Sequence, residues 1–324
     1  MTPPVAELGA DLEMAVRRVA GSRAEIAGVH RAPNPYASVS PSEVVSVELA
    51  TGERVAIFVK HLGEEQRSHP DKRLREREVR VYGELLGDRD LPVARFLGSG
   101  RDKATGRRRL FLEYVDGWSL KYRDLNHWYT AARRLAHLHL AFAREADRLL
   151  ERDFLLRLDS DYVLAWAGRA LAAVSSLSAE QASRLRRTVD DLEVVAELLA
   201  AQPPTLVHND LAPKNVIAAT SAIPGRTCIV DWEMAGVGCG LLDLTHLMYG
   251  LPPREVGRML DLYRRELAGT GLMPSGEEGK RLLAACRLHG ALYRLAHADV
   301  WGLPLERVGE WIAESEELDR EVAR

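Results

Sequence analysis

Cysteine is scarce in this chain. Cys228, Cys239 and Cys286 are the only three in 324 residues, too few and too scattered for a disulfide framework or a thiolate zinc site. No apolar run is long enough to cross a bilayer. The first residues, Met1-Thr-Pro-Pro-Val-Ala-Glu7, lack the basic-then-apolar build of a signal peptide. Neither sign of charge dominates: the formal net charge of -3 gives no electrostatic case for a nucleic-acid partner. Internal repeats and low-complexity segments are missing too. What remains is ordinary globular composition, 46% hydrophobic and 28% charged, with length enough for one large domain or two lobes.

Two stretches carry the chemistry. Leu206-Val-His-Asn-Asp-Leu-Ala-Pro-Lys-Asn-Val-Ile217 and Cys228-Ile-Val-Asp-Trp-Glu233 share one build, an apolar strand-like run that delivers a carboxylate to a loop. Asp210 and Asn215 sit on the first loop, and Asp231 follows the second run. Carboxylate and amide oxygens of this kind suit Mg²⁺, which takes hard oxygen ligands and water in a tight octahedron. An Asp beside such a pair suits orienting a hydroxyl and accepting its proton. Together they supply what phosphoryl transfer needs, a positioned nucleophile and neutralised phosphate charge.

The pattern His-x-Asp-(four residues)-Asn followed by Asp-Trp-Glu resembles the aminoglycoside phosphotransferase and choline kinase group, small-molecule relatives of protein kinases. The second position of His208-Asn209-Asp210, often Gly in the family, is Asn as in choline-kinase-like members. The resemblance implies that Asp210 is the catalytic Asp and that Asn215 and Asp231 are the metal ligands. It places Asp243, in Leu241-Leu-Asp-Leu-Thr-His246, behind the catalytic loop as a support, with His208 in a similar role. A metal-dependent hydrolase built on His208 and the Asp pair is the reading from the residues alone that competes with it.

The N-terminal part reads as a helix over the first twenty residues, with Leu8, Leu12, Val16 and Val19 at helical spacing. Short alternating runs follow: 25–30, 43–49 and 54–60, joined at turns such as Thr51-Gly52, a pattern of antiparallel strands. Lys60 ends the third run, where an ammonium can sit over an enclosed phosphate site if a carboxylate orients it. The spacing predicts a helix over 72–86. Glu78 is the chosen partner, since its surroundings resemble the family's Glu-(three residues)-Tyr helix, and Glu76 is the alternative. The turn that should cover the phosphates, 34–40, contains no glycine, unlike the Gly-x-Gly-x-x-Gly loop of protein kinases. Ser38 and Ser40 are its candidate phosphate contacts. Gly98-Ser-Gly100 reads as a turn ending a strand.

Leu110 to Gly117 reads as a buried strand ending at an Asp-Gly break. The resemblance makes this the hinge between lobes, where the backbone of Glu113 and Val115 would meet the base of the nucleotide. The domain boundary is therefore set at 116, giving an N-terminal nucleotide-binding lobe, 1–116, and a helical lobe, 117–324. Beyond it the chain reads as almost wholly helical. Leu135, Leu138 and Phe142 form a core stripe, with His137 and His139 as one surface and one packed histidine. Gly236-Val-Gly-Cys-Gly240 reads as the chain's exit from the site. Asp261, Asp299, Glu310, Glu314, Glu316, Glu317 and Asp319 lie on the last helices, where carboxylates of aminoglycoside-modifying relatives bind a polycationic drug.

The expectation is a two-lobed, protein-kinase-like α+β fold, an antiparallel-sheet lobe followed by a mainly helical one. ATP or GTP and Mg²⁺ are the expected cofactors. The acceptor is a small molecule, and neither nucleic acid nor membrane is a partner. The location is cytoplasmic, and monomer and homodimer both stay open.

Overall fold

The alternating runs at the start of the chain fold as the sequence suggests. A computed structural model of the protein describes residues 8–35, 40–63, 69–87, 89–102, 105–220 and 226–324. The chain divides into two compact units. The first comprises residues 1–127 and 214–235, the second 128–213 and 236–324.

The first unit opens with helix α1 (Gly9–Ala20). Strands β1 (Ile26–Pro33), β2 (Ser42–Leu49) and β3 (Arg54–His61) follow. The short helix α2 (Arg77–Arg80) precedes β4 (Phe96–Arg101) and β5 (Arg108–Glu113). The strands form one antiparallel sheet in the order β1-β2-β3-β5-β4. Alternation puts Val45, Val47, Ile57, Val59 and Phe111 on the α1 side, packed with Leu12 and Val16. Burying such side chains contributes about 1.5–3 kcal/mol each.

Gly98-Ser-Gly100 is not a turn but lies inside β4. A Cβ on Gly100 would fall 1.8 Å from the Asp11 carboxylate, and one on Gly98 2.5 Å from Met14. Gly98 also takes a positive φ, +141°, which favours glycine, and at both positions the ends of flexible α1 side chains would have to move aside for a Cβ. The helix expected over 72–86 begins only at Arg77 and continues from Val81 to Leu86 as a π-helix, with Gly87 N–H donating to the carbonyl of Tyr82. A smaller three-stranded sheet completes the unit, its central strand Val216–Ala219 flanked by Thr227–Ile229 and Gly117–Ser119.

The second unit is mainly helical: Leu125–Ala143 from Trp128 onward, Ser160–Leu177, Ala179–Asp190, Glu193–Ala200, Leu241–Met248, Pro253–Glu266, Gly276–Leu295 and Leu305–Ala323. Asp159 caps the second of these by accepting from the Tyr162 N–H at 3.1 Å. A small sheet centres on Gly236–Cys239, antiparallel to Pro204–Val207 and parallel to Leu156–Arg157. The glycine-rich stretch 236–240 is therefore mostly strand rather than an exit loop. A Cβ at Gly236 would come within 2.2 Å of Leu158, and one at Gly238 within 2.7 Å. No helix among the described residues is long and apolar enough to cross a membrane.

Candidate active site

In the first unit β3 carries Lys60 to a pair of carboxylates, Glu78 buried and Asp231 partly exposed. Its Nζ lies 2.6 Å from Glu78 Oε2 and 2.6 Å from Asp231 Oδ1. Glu76, the alternative partner, is taken up by Arg108 at 2.8 Å and Arg101 at 3.3 Å. Burial alone would lower the Lys60 ammonium, but Glu78 and Asp231 outweigh it and hold Lys60 above its ordinary value. Glu78, 1% exposed, is pushed up to about 7, by burial first and by the Asp231 and Glu233 charges, against the pull of Lys60.

Asn215 and Asp231 flank one end of the ribbon formed by Val216–Ala219 and Thr227–Ile229. Val216 pairs with Ile229, and the next N–H, that of Val230, donates to the Asn215 carbonyl at 2.9 Å. Asp231 itself takes a left-handed backbone, φ +71°, uncommon outside glycine. The donors on offer are one carboxylate and one amide, and no cluster of three or more His, Cys, Asp or Glu able to hold a metal occurs among the described residues. A carboxylate and an amide oxygen are hard donors of the kind Mg²⁺ takes, with phosphates and water completing its shell.

A second set of contacts went unnoticed in the sequence. Lys72 and Arg75 both pair with the Glu233 carboxylate, Arg75 at 3.7 Å. Arg77, 5% exposed, donates Nη1 to the main-chain carbonyls of Glu233, at 2.7 Å, and Asp71. The approach to α2 is thus latched to the segment just after Asp231. The basic spacing Lys72, Arg75, Arg77 was visible, but in a stretch crowded with charge it pointed nowhere.

Of the covering turn, Ser38 lies outside the described residues. Ser40 is buried, 7% exposed. The serine standing opposite Lys60 in the β2–β3 register is Ser42, whose Oγ accepts from Asn34 Nδ2 at 3.0 Å. Counting back across the Thr51-Gly52 turn would have found it. Glu43, one residue on, points to the other face and takes Arg31 and His61. Burial opposes its ionisation, but the hydrogen bonds from His61 and Arg31 bring its carboxyl down to about 2. Glu113 gives its N–H to the Arg95 carbonyl at 3.0 Å and its carboxylate to Arg226, while Val115 is buried.

In the second unit the strand Pro204–Val207 ends at His208, and Asp210 follows two residues later, half-buried. Asp243, wholly buried in the first turn of Leu241–Met248, braces this loop. Its Oδ2 accepts from the His208 N–H at 2.7 Å and its Oδ1 from the Asn209 N–H at 2.9 Å. His139 Nε2 lies 3.3 Å from Oδ2, and its Nδ1 is 2.7 Å from the Tyr263 hydroxyl. Burial opposes the Asp243 charge, but the His139 hydrogen bond leads the contacts that hold its pKa below the ordinary value. The Asp210 N–H donates to His208 Nδ1 at 3.2 Å, so that ring nitrogen carries no proton. Nearby, His289 is held near 3 by burial and by the charge of His246, and His246 is lowered mainly by burial.

His137 is the surface histidine, 2.8 Å from Glu266. Among the carboxylates of the last helices, Glu310 pairs with Arg307, Glu314 with Arg294, and Glu316 with Arg184.

Comparison with known proteins places the chain. The model of the phosphotransferase enzyme family matches residues 47–283, and the protein belongs to that family. The fold is that of solved small-molecule kinases. A microcompartment-associated aminopropanol kinase superposes with a TM-score of 0.62 at 16% identity, covering 95% of this chain and 98% of that one. A choline kinase from Cryptosporidium parvum Iowa II gives 0.60 at 14%, covering 96% and 94%. A thermostable mutant of aminoglycoside phosphotransferase APH(4)-Ia, in ternary complex with AMP-PNP and hygromycin B, gives 0.58 at 16%, covering 97% and 99%. A tyrosine–tRNA ligase of Thermobifida fusca (strain YX) is 32% identical over 85 residues, which are 26% of this chain and 19% of that protein.

Proposed function

We propose that this protein transfers the γ-phosphoryl group of ATP or GTP to a hydroxyl of a small molecule. The observation that carries the proposal is Lys60, whose ammonium is held at 2.6 Å by both Glu78 and Asp231. A cation fixed in this way beside a carboxylate suited to Mg²⁺ is what orienting nucleotide phosphates requires. The braced loop that carries Asp210 supports the second role. There Asp210 accepts the hydroxyl proton as the acceptor oxygen bonds to the γ-phosphorus and the bond to the β-phosphate bridging oxygen breaks, releasing the nucleoside diphosphate. Mg²⁺, held by Asn215 and Asp231, would neutralise charge on the phosphates. Lys60 orients them, and Glu113 and Val115 offer backbone groups to the base, with Ser40 at the covering turn. His208 and Asp243 support the loop.

The relatives' names bear on the acceptor. One solved relative binds hygromycin B with AMP-PNP, and others are kinases of aminopropanol and choline. Our first choice is an aminoglycoside or other antibiotic-type natural product, which would give the protein a resistance role in the cytoplasm. Choline, ethanolamine, homoserine and sugars come next. The test is a coupled turnover assay with Mg²⁺, running ATP and GTP separately against these acceptors and weighing products for an added phosphoryl group. Asp210→Ala should lower the rate by on the order of 10²–10⁴ while nucleotide still binds. Near-normal turnover of that variant, or no nucleotide binding by the wild type, would overturn the reading.

A further inference from the structure

Asn209 has a backbone of unusual kind and a side chain with a partner of its own. Its φ is +64°, in the left-handed region. Asn visits that region at some cost, and glycine does so freely. Glycine would therefore serve the backbone alone, and the Asn side chain adds something else. It is 2% exposed, and its Nδ2 donates to the Tyr162 hydroxyl at 2.8 Å. Tyr162 lies in the first turn of Ser160–Leu177, whose N-terminus is fixed by the Asp159 cap on its own N–H. Its ring packs against His289, centroids 5.8 Å apart, and Trp166 at 6.4 Å. The hydroxyl is thus presented by a helix terminus and two neighbouring rings.

We propose that Tyr162 and Asn209 are positioning residues for Asp210, a second brace on the catalytic loop independent of Asp243. Asp243 holds the loop by its main chain, at the N–H groups of His208 and Asn209. Those two main-chain bonds at adjacent residues, and the Asp210 N–H bond to His208 Nδ1, fix where the loop sits. The Asn209 side chain adds an anchor on a different element, the helix Ser160–Leu177, and so holds the main chain entering Asp210 at the angle from which its carboxylate meets the acceptor hydroxyl. This inference rests on the proposed role of Asp210.

The test is a double-mutant cycle with Tyr162→Phe and Asn209→Gly. The first removes only the hydroxyl, and the second keeps the backbone conformation while deleting the side chain. Each should lower kcat about tenfold, with the KM for ATP within about twofold, and the double variant should be no slower than the slower single one. Hydrogen exchange of the amides at 208–210 should quicken in all three without a matching fall in Tm. Additive losses, unchanged kcat, or loss that tracks Tm overturns the proposal. Asp210→Ala runs in the same assay. If it abolishes turnover and the cycle shows nothing, the brace fails and the kinase reading stands. If Asp210→Ala is active, or no acceptor in the panel is phosphorylated, the catalytic claim falls for both. Unchanged exchange at 208–210 then rejects the brace by itself.

Discussion

The candidate residues of the two units are held by opposite means. In the first unit, charge holds charge: Lys60 between Glu78 and Asp231, Glu233 between Lys72 and Arg75. In the second, one buried carboxylate, Asp243, is surrounded by N–H donors, with neutral imidazoles close by. The difference shows in how each responds to acid. Glu78 is raised from 4.5 to about 7, so its contribution to stability is full below 4.5 and lost as the pH rises through 7. His289 is lowered from 6.5 to about 3, so its contribution is full above 6.5 and is lost as the pH falls toward 3. Acidification from 7 to 5 relieves one unit and strains the other. On the proposed function, activity should follow its own direction, because a protonated Glu78 would no longer orient Lys60.

Substitutions can break this contrast. Replacing Asp231 by Ala removes the proposed metal ligand and half of the cradle of Lys60, and should lower kcat by on the order of 10³ with little loss of Tm. Asp243→Ala should act on stability as well, since it unbraces the loop that carries Asp210. It leaves two buried N–H groups without their acceptor and should cost about 3 kcal/mol in denaturant unfolding. Asp243 is also depressed below its ordinary value, so the stability it gives is present above the carboxylate range and lost as the pH falls through its folded-state value. Asp243→Asn should flatten that part of the curve. Glu78→Gln should lower kcat/KM for nucleotide about tenfold at pH 8 and abolish an acid limb near pH 7. A limb that persists in this variant would assign the titration to another group. Glu76→Ala should matter least, within about 1 kcal/mol of stability and with kinetics unchanged, as befits a partly exposed ion pair.

The strands of the sheet, the Lys60 position and the loops of Asp210 and Asp231 were legible because each lies on a periodic run or a spaced motif, both local in sequence. Glu78 was legible only through resemblance, and its rival Glu76 could be set aside only once Arg108 and Arg101 were seen beside it. What could not be read depends on distant partners. The glycines at 236 and 238 look like turn residues until Leu158 is known to occupy the space their side chains would need, and Gly98 until its positive φ is seen inside a strand. The Glu233 latch joins residues more than 150 positions apart. Ser42, by contrast, lies within reach of the sequence, because counting back across the Thr51-Gly52 turn puts it opposite Lys60.

The first unit's second segment has a consequence for synthesis. Lys60 and Asp231 are 171 residues apart, and the second unit's residues 128–213 are made between them. At a translation rate of about 5–20 residues per second, Lys60 waits on the order of 10–30 s for its carboxylate to leave the ribosome. Until then the sheet must survive with a buried ammonium that has Glu78 alone beside it. The nascent chain therefore carries an unfinished first unit through the making of half of the second unit's main helices, an interval in which a chaperone could act on it.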